Sequence, residues 1–175
     1  IALLPGTDGA LALGVMHELQ KNGWLDADYI ERHVDGFDKL QTRIAEWPAE
    51  RAAQVCGISA DEVRGLARDL GTAQPAGIRV NYGMQRVRGG GNAMRLIALL
   101  PCLTGAWRHR AGGLLLSSSG WFKAYKNAAL ERPDLLAGRR PRTINMSTIG
   151  NDLLREASPA FGPKIEAVVV YNSNP

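Results

Sequence analysis

The chain has 175 residues, enough for one well-buried domain, and 45% of them are hydrophobic against 22% charged, the balance of an ordinary globular protein. No apolar run approaches the roughly 18 residues that a membrane helix needs. The two cysteines, Cys56 and Cys102, form no CxxC pair, and His17, His33 and His109 share no ligand-like spacing, so the sequence carries no metal motif and no disulfide framework. The net charge of +4 is unevenly placed. Residues 1–75 are acidic, whereas residues 79–142 carry twelve lysines and arginines against only Glu131 and Asp134. A tract of that kind is either solvated surface or a face for a polyanion.

Residues Ile1 to Leu4 form an apolar, strand-like lead-in that Pro5 and Gly6 break. Thr7 or Asp8 then has the chemistry to cap a helix, since its side-chain oxygen can accept a free first-turn N–H. Leu11, Leu13, Val15, Met16 and Leu19 supply a buried face for a helix from about Gly9 to Lys21, and Asn22-Gly23 stops it. A strand–loop–helix junction leaves backbone N–H groups free for a ligand. Asp8 adds a carboxylate there, which reads either as a cap or as an acceptor for a ligand bearing N–H donors, such as a guanine edge.

Asp26 or Asp28 starts a second helix through Arg32, and Phe37, Leu40, Ile44 and Trp47 recur at helical spacing after Gly36. Pro48 suits the first turn of a helix from Ala49 to Val55 that Cys56-Gly57 closes. Ser59 to Glu62 is a capping-box pattern, and Val63, Leu66, Ala67 and Leu70 form the stripe of the helix that it opens, with Gly71 as its stop. Both cysteines lie in helical, apolar neighbourhoods and read as small buried thiols.

Ala76 to Asn81 reads as a strand leading into Tyr82-Gly83-Met84-Gln85 and the glycine loop Gly89–Gly91. Asn92 opens an apolar helix that Pro101 should kink or stop. The glycines match neither GxGxxG nor a P-loop, so the loop reads equally as a ligand cradle or a close-packed turn. Ala111 to Gly120 is a second glycine loop, residues 121–141 a long surface excursion with one helical piece near Phe122–Leu130, and Asn145 to Arg155 helical. Lys164 to Tyr171 is β-branched and predicts a buried strand, which exits into the polar loop Asn172-Ser173-Asn174-Pro175.

The architecture expected is α/β: an incomplete doubly wound, Rossmann-like domain with a helical N-terminal half. The whole of 1–175 reads as one domain, with a mainly helical layer over 1–75 and a strand, glycine-loop and helix unit plus a final strand over 76–175. A chain that begins on Ile inside an apolar run and ends at Asn174-Pro175 reads as a piece of a larger, multidomain protein.

The stretch Leu4-Pro5-Gly6-Thr7-Asp8-Gly9-Ala10-Leu11-Ala12-Leu13 resembles a segment of the molybdopterin oxidoreductases of the dimethyl-sulfoxide-reductase superfamily, and further pieces follow in the same order. Asp28-Tyr29-Ile30 through His33 and Gly36-Phe37 is similar to the family's DxxFIxxHxxGF stretch. Trp47 through Cys56-Gly57 and the capping box resembles its W…AAxxxGIxxxxIxxLA run. Tyr82-Gly83-Met84-Gln85 with Gly89–Gly91 looks like its glutamine-bearing cofactor loop. Leu103-Thr104-Gly105 with Gly112-Gly113 is similar to its LTGxxGxxGGG turn, and Val169 to Pro175 to its strand ending in an Asn-Pro loop. Trp107-Arg108-His109-Arg110-Ala111 departs from the family's usual turn, so that corner is expected to be reshaped.

The resemblance implies most of the third, Rossmann-like domain of an enzyme with a bis(molybdopterin guanine dinucleotide) cofactor holding molybdenum or tungsten. It would place Gly6, Thr7 and Asp8 by a guanine end. Gly83 and Gln85 would lie along the pterin or its phosphates, and Asn172, Ser173 and Asn174 in another contact loop. Arg86 and Arg88 suit phosphate. The family's metal ligand and its 4Fe-4S cysteines lie upstream, and neither cysteine here matches them, so no catalytic or metal-ligating residue is expected in this chain. The partners implied are the rest of the parent chain and an electron-transfer subunit. The resemblance leaves the compartment open between cytoplasm and periplasm, because any export signal would lie outside these residues. The parent would perform two-electron redox on a small substrate. The alternatives are a redox-inert scaffold of a respiratory complex that kept the fold, and a basic nucleic-acid-binding module. The second is disfavoured because the arginines are not interleaved with stacking aromatics.

Overall fold

The computed structural model describes residues 1–73, 75–118 and 132–172. They fall into two compact units, Ile1–Lys123 and Ala124–Pro175.

The first unit is built round α1 (Asp8–Lys21), which packs against the later helices α3 (Phe37–Ala45), α4 (Ala49–Cys56), α5 (Ala60–Thr72) and α6 (Gly90–Leu103). Val15, Met16 and Leu19 of α1 are fully buried with Ile44, Ala49, Ala52, Val63, Ala67 and Leu103. Small residues on α4 let α1 approach closely. A methyl group placed on Gly14 would overlap that of Ala52 and stand 3.2 Å from a Val63 methyl.

The helix boundaries follow local chemistry. Pro48 precedes α4, and Gly57, at φ +70°, closes it in the left-handed conformation. The capping box of α5 forms: Ser59 Oγ accepts the Glu62 N–H at 3.2 Å, and Glu62 Oε2 accepts the Ser59 N–H at 2.9 Å. Gly71 does not stop α5, which runs on to Thr72. Trp24 lies against it instead, and a Cβ at Gly71 would come within 2.7 Å of the Trp24 Cβ.

Helix α2 (Ala27–His33) is capped by Asp26, whose Oδ1 accepts the Tyr29 N–H at 2.9 Å. The same carboxylate accepts from Arg108 Nε at 3.0 Å. Arg108 also pairs with Asp28 and lies over the Tyr29 ring. Through Arg108 the turn Trp107–Ala111 latches the end of α6 to the start of α2. Arg108 and the Tyr29 N–H hold the Asp26 carboxyl below its ordinary 3.8. A depressed folded-state value stabilises the fold above pH 3.8, and that contribution disappears as pH falls through the lowered value. Asn caps as well as Asp, so Asp26→Asn isolates the ion pair. In urea titrations between pH 7 and pH 2, the variant should lose less stability on acidification than the parent; equal losses would mean that the latch contributes nothing.

Two parallel strands complete this unit. β1 (Gly77–Arg79) pairs with β2 (Gly113–Leu115), Gly77 opposite Gly113 and Arg79 opposite Leu115, with α6 as the crossover. β2 lies where the sequence reads as a second glycine loop. Gly113 sits at φ +100° against the Trp107 ring, with no space for a Cβ, and Leu114-Leu115 then extend. The architecture is a mixed α/β, partial Rossmann-like domain with a helical N-terminal half. α6 begins at Gly90, two residues earlier than expected, and continues through Pro101 to Leu103, because Pro101 sits in the last turn and removes one hydrogen bond only.

In the second unit, the turn Met146–Thr148 runs into α7 (Ile149–Leu153) within the range expected to be helical. Arg142 and Arg155 both lie over the Phe161 ring. The buried strand expected over 164–171 is not found. Those residues join no ladder among the described residues, and Val169 and Tyr171 are 94% and 91% exposed. The lead-in at residues 1–4 is likewise not a strand. The helical piece expected near Phe122–Leu130 lies outside the described residues.

Candidate functional site

The loop Leu4–Asp8 is held on the C-terminal end of α4. The Leu4 N–H donates to the Cys56 carbonyl at 2.9 Å, the Cys56 thiol faces the Thr7 carbonyl at 3.5 Å, and the Leu4 side chain covers Gly57. Gly6 makes the turn at φ +83°. Thr7 stands at the N-cap position but does not cap. Its Oγ1 donates to the Leu4 carbonyl at 2.6 Å, tightening the turn, so its oxygen is aimed away from the first-turn N–H groups. Asp8 is the first residue of α1, not its cap. The N–H groups of Ala10 and Leu11 both go to the Thr7 carbonyl, whereas those of Asp8 and Gly9 have no acceptor among the described residues. Two free donors and a carboxylate thus stand together at one helix start.

Asp8 lines a cavity of about 360 Å³. Its walls are Leu11, Ala12 and Val15 of α1, Leu66 and Leu70 of α5, and Ile97 and Leu100 of α6, and its remaining border is the whole of β1, including Arg79. The volume lies within the range of small-ligand pockets, and the make-up fits the usual pattern of apolar walls with few polar groups. Neither the Asp8 carboxylate nor the Arg79 guanidinium has a hydrogen bond or ion pair among the described residues.

Of the other sequence-derived residues of this unit, none lines the cavity. Gly6 and Thr7 shape the loop beside it without lining it. Gly83 and Gln85 are exposed in the turn that precedes α6, Gln85 within Met84–Arg86. The backbone of that turn lies on Gly90, where a Cβ would come within 2.8 Å of the Gln85 carbonyl carbon. Asn172 belongs to the second unit and takes φ +50°, while Ser173 and Asn174 lie outside the described residues. Arg86 and Arg88 are exposed and unpaired among the described residues, whereas Arg108 and Arg132 of the basic tract are engaged in ion pairs with Asp26, Asp28 and Asp134. Arg79 is a cavity-lining residue that the sequence alone does not single out. The readable signal was its position at the carboxyl end of a strand followed by a glycine loop, where α/β folds place ligands.

Both thiols are pushed above their ordinary range by burial, which suits structural rather than reactive cysteines. Among the described residues no group of three His, Cys, Asp or Glu side chains could hold a metal, and no helix is long and apolar enough to cross a membrane. A larger groove, of about 840 Å³, is lined by Leu13, Phe37, Lys39, Arg43, Asn92 and Arg95 among others, and includes none of the expected site residues.

The fold and the polar groups at its strand and helix ends define a partial Rossmann-like unit. No family model matches the chain. It is 37% identical, over all of its 175 residues, to the probable oxidoreductase YoaE of Bacillus subtilis, and spans 25% of that protein. It is 32% identical over 125 residues to the putative dimethyl sulfoxide reductase chain YnfE of Escherichia coli, matching 60% of this chain and 15% of that one. Among solved structures, acetylene hydratase from Pelobacter acetylenicus superposes with a TM-score of 0.60 at 28% identity, covering 62% of this chain and 15% of that one. The homologues are molybdopterin enzymes of the dimethyl-sulfoxide-reductase superfamily, and the chain is a molybdopterin oxidoreductase family domain. It spans about a quarter or less of the length of these relatives.

Proposed function

We propose that this chain supplies protein contacts to one guanine dinucleotide of a bis(molybdopterin guanine dinucleotide) cofactor carrying molybdenum or tungsten. The parent protein performs two-electron redox on a small substrate. The observation that carries the reading is the Asp8 carboxylate, which stands at a helix start with two N–H groups, all without a partner among the described residues, and lines an apolar cavity of ligand size. A carboxylate accepts from the N1–H and 2-amino groups of guanine, and phosphate or ribose oxygens accept from free helix N–H groups, so the residues present fit such a group. When bound, the cofactor supplies the redox chemistry, and the chain's task is to bind, orient and screen it. Gly6, Thr7 and Asp8 form the contact loop, and the second contacts fall to Gly83, Gln85 and the loop Asn172-Ser173-Asn174. A 4Fe-4S cluster and an electron-transfer subunit belong to the parent in this reading.

The test is the metal and nucleotide content of the longer protein that carries the chain. Molybdenum, tungsten and iron are measured by elemental analysis, and GMP after acid hydrolysis. Two GMP per molybdenum or tungsten are expected. Iron without molybdenum, tungsten or GMP would overturn the reading in favour of a redox-inert scaffold.

A further inference from the structure

We propose that Arg79 is a base-reading residue of the same site, and that with Asp8 it selects guanine from two edges. This inference rests on the reading of the Asp8 cavity as a guanine site. Asp8 of α1 and Arg79 at the carboxyl end of β1 both line the cavity, and the rest of its lining is aliphatic or glycine, Leu11, Leu66, Leu70 and Ile97 among it. Arg79 is exposed and makes no ion pair or hydrogen bond through its side chain among the described residues, although the same unit offers many carboxylates. The cavity is thus lined by one uncommitted guanidinium and one uncommitted carboxylate.

The chemistry of that pair matches one base. Guanine presents donors at N1 and the 2-amino group, which a carboxylate accepts, and acceptors at O6 and N7, which the planar fork of an arginine satisfies with two parallel bonds. Adenine fails both tests, because it carries an amino donor at position 6 and no 2-amino group. The aliphatic walls bury the ring faces without adding polar demands. Lysine at position 79 would keep the charge and lose the fork.

Calorimetric titration of the full chain, free of cofactor, separates the two contacts. The ligands are GMP, IMP, which lacks the 2-amino group, AMP, and the 7-deaza analogue of GMP, in which carbon replaces N7. GMP should bind roughly tenfold more tightly than either IMP or the 7-deaza analogue. Arg79→Gln should abolish the preference over the 7-deaza analogue while keeping the preference over IMP, and Arg79→Lys should restore only part of it. An unchanged melting temperature is expected for both variants, since the side chain is exposed and unpaired. A parent chain that prefers GMP to IMP but binds the 7-deaza analogue equally well overturns the role of Arg79 and leaves the guanine reading standing. Equal binding of GMP and AMP, or no binding of either, overturns both.

Discussion

Gly14→Ala is expected to destabilise the protein, and Gly65→Ala to stabilise it, although both replace a glycine inside a helix by the best helix former. Propensity alone predicts a gain of about 0.5–1 kcal/mol at each position. At Gly65 of α5 nothing lies within 4 Å of the added methyl, so the gain is realised. At Gly14 the methyl overlaps that of Ala52 on α4, and a Val63 methyl stands 3.2 Å away on α5. Both neighbours are buried and carry no flexible end that could swing aside. Overpacking of this kind costs about 1–3 kcal/mol and outweighs the propensity gain.

Calorimetric melting checks the pair, because 1 kcal/mol moves the midpoint by roughly 2–4 °C in a protein of this size. Gly65→Ala should raise the midpoint and Gly14→Ala lower it. Gly14→Val, with two more methyls in the same space, should give the largest loss of the set, roughly 3 kcal/mol or more. Ala52→Gly removes the methyl that Gly14→Ala strikes, so the double variant should recover part of the loss. A rise in the midpoint for Gly14→Ala would mean that α1 can move away from α4 without penalty.

Local signals were legible where the chemistry is local. The Ser59–Glu62 box, the Asp26 cap, the Pro48 start and the Gly57 stop each depend on residues within four positions, and each is found. Distant partners were not legible. Gly71 looked like a helix stop because its neighbour Trp24, 47 positions earlier, cannot be read from α5. Strand β2 was hidden for the same reason: Gly112-Gly113 reads as a loop until Trp107 and β1 are in place to claim it. The run 164–171 shows the converse. A β-branched pattern states a demand for burial and cannot name what supplies it, and Val169 stands 94% exposed. At the candidate site, Asp8 could be nominated from its residue type and helix-start position. Arg79 could not, because its place on the same cavity is created by α1 and β1 coming together. The reversal at Thr7, donor to Leu4 instead of cap to α1, needed the turn geometry and left the Gly9 N–H without an acceptor among the described residues.

Asp8→Ala is the substitution expected to separate binding from folding in the parent protein. As the first residue of α1, Asp8 interacts favourably with the helix dipole, worth about 0.3–1 kcal/mol, so its loss should lower the melting midpoint by a few degrees at most. Its contribution to a bound guanine is larger. Two charge-assisted hydrogen bonds from N1–H and the 2-amino group are worth about 1–3 kcal/mol, so the variant should release guanine nucleotide roughly tenfold faster or more. Asp8→Asn should fail almost as badly, because the amide keeps the shape yet presents an NH₂ donor where guanine also presents one. The readout is the rate at which GMP-bearing cofactor is lost on prolonged dialysis, followed beside molybdenum content and the thermal midpoint. A carboxylate that is only the opening residue of a helix would lower the midpoint slightly and leave the release rate untouched. A contact to the base would add a roughly tenfold or larger rise in the release rate to the same small shift, so the release rate separates the two outcomes.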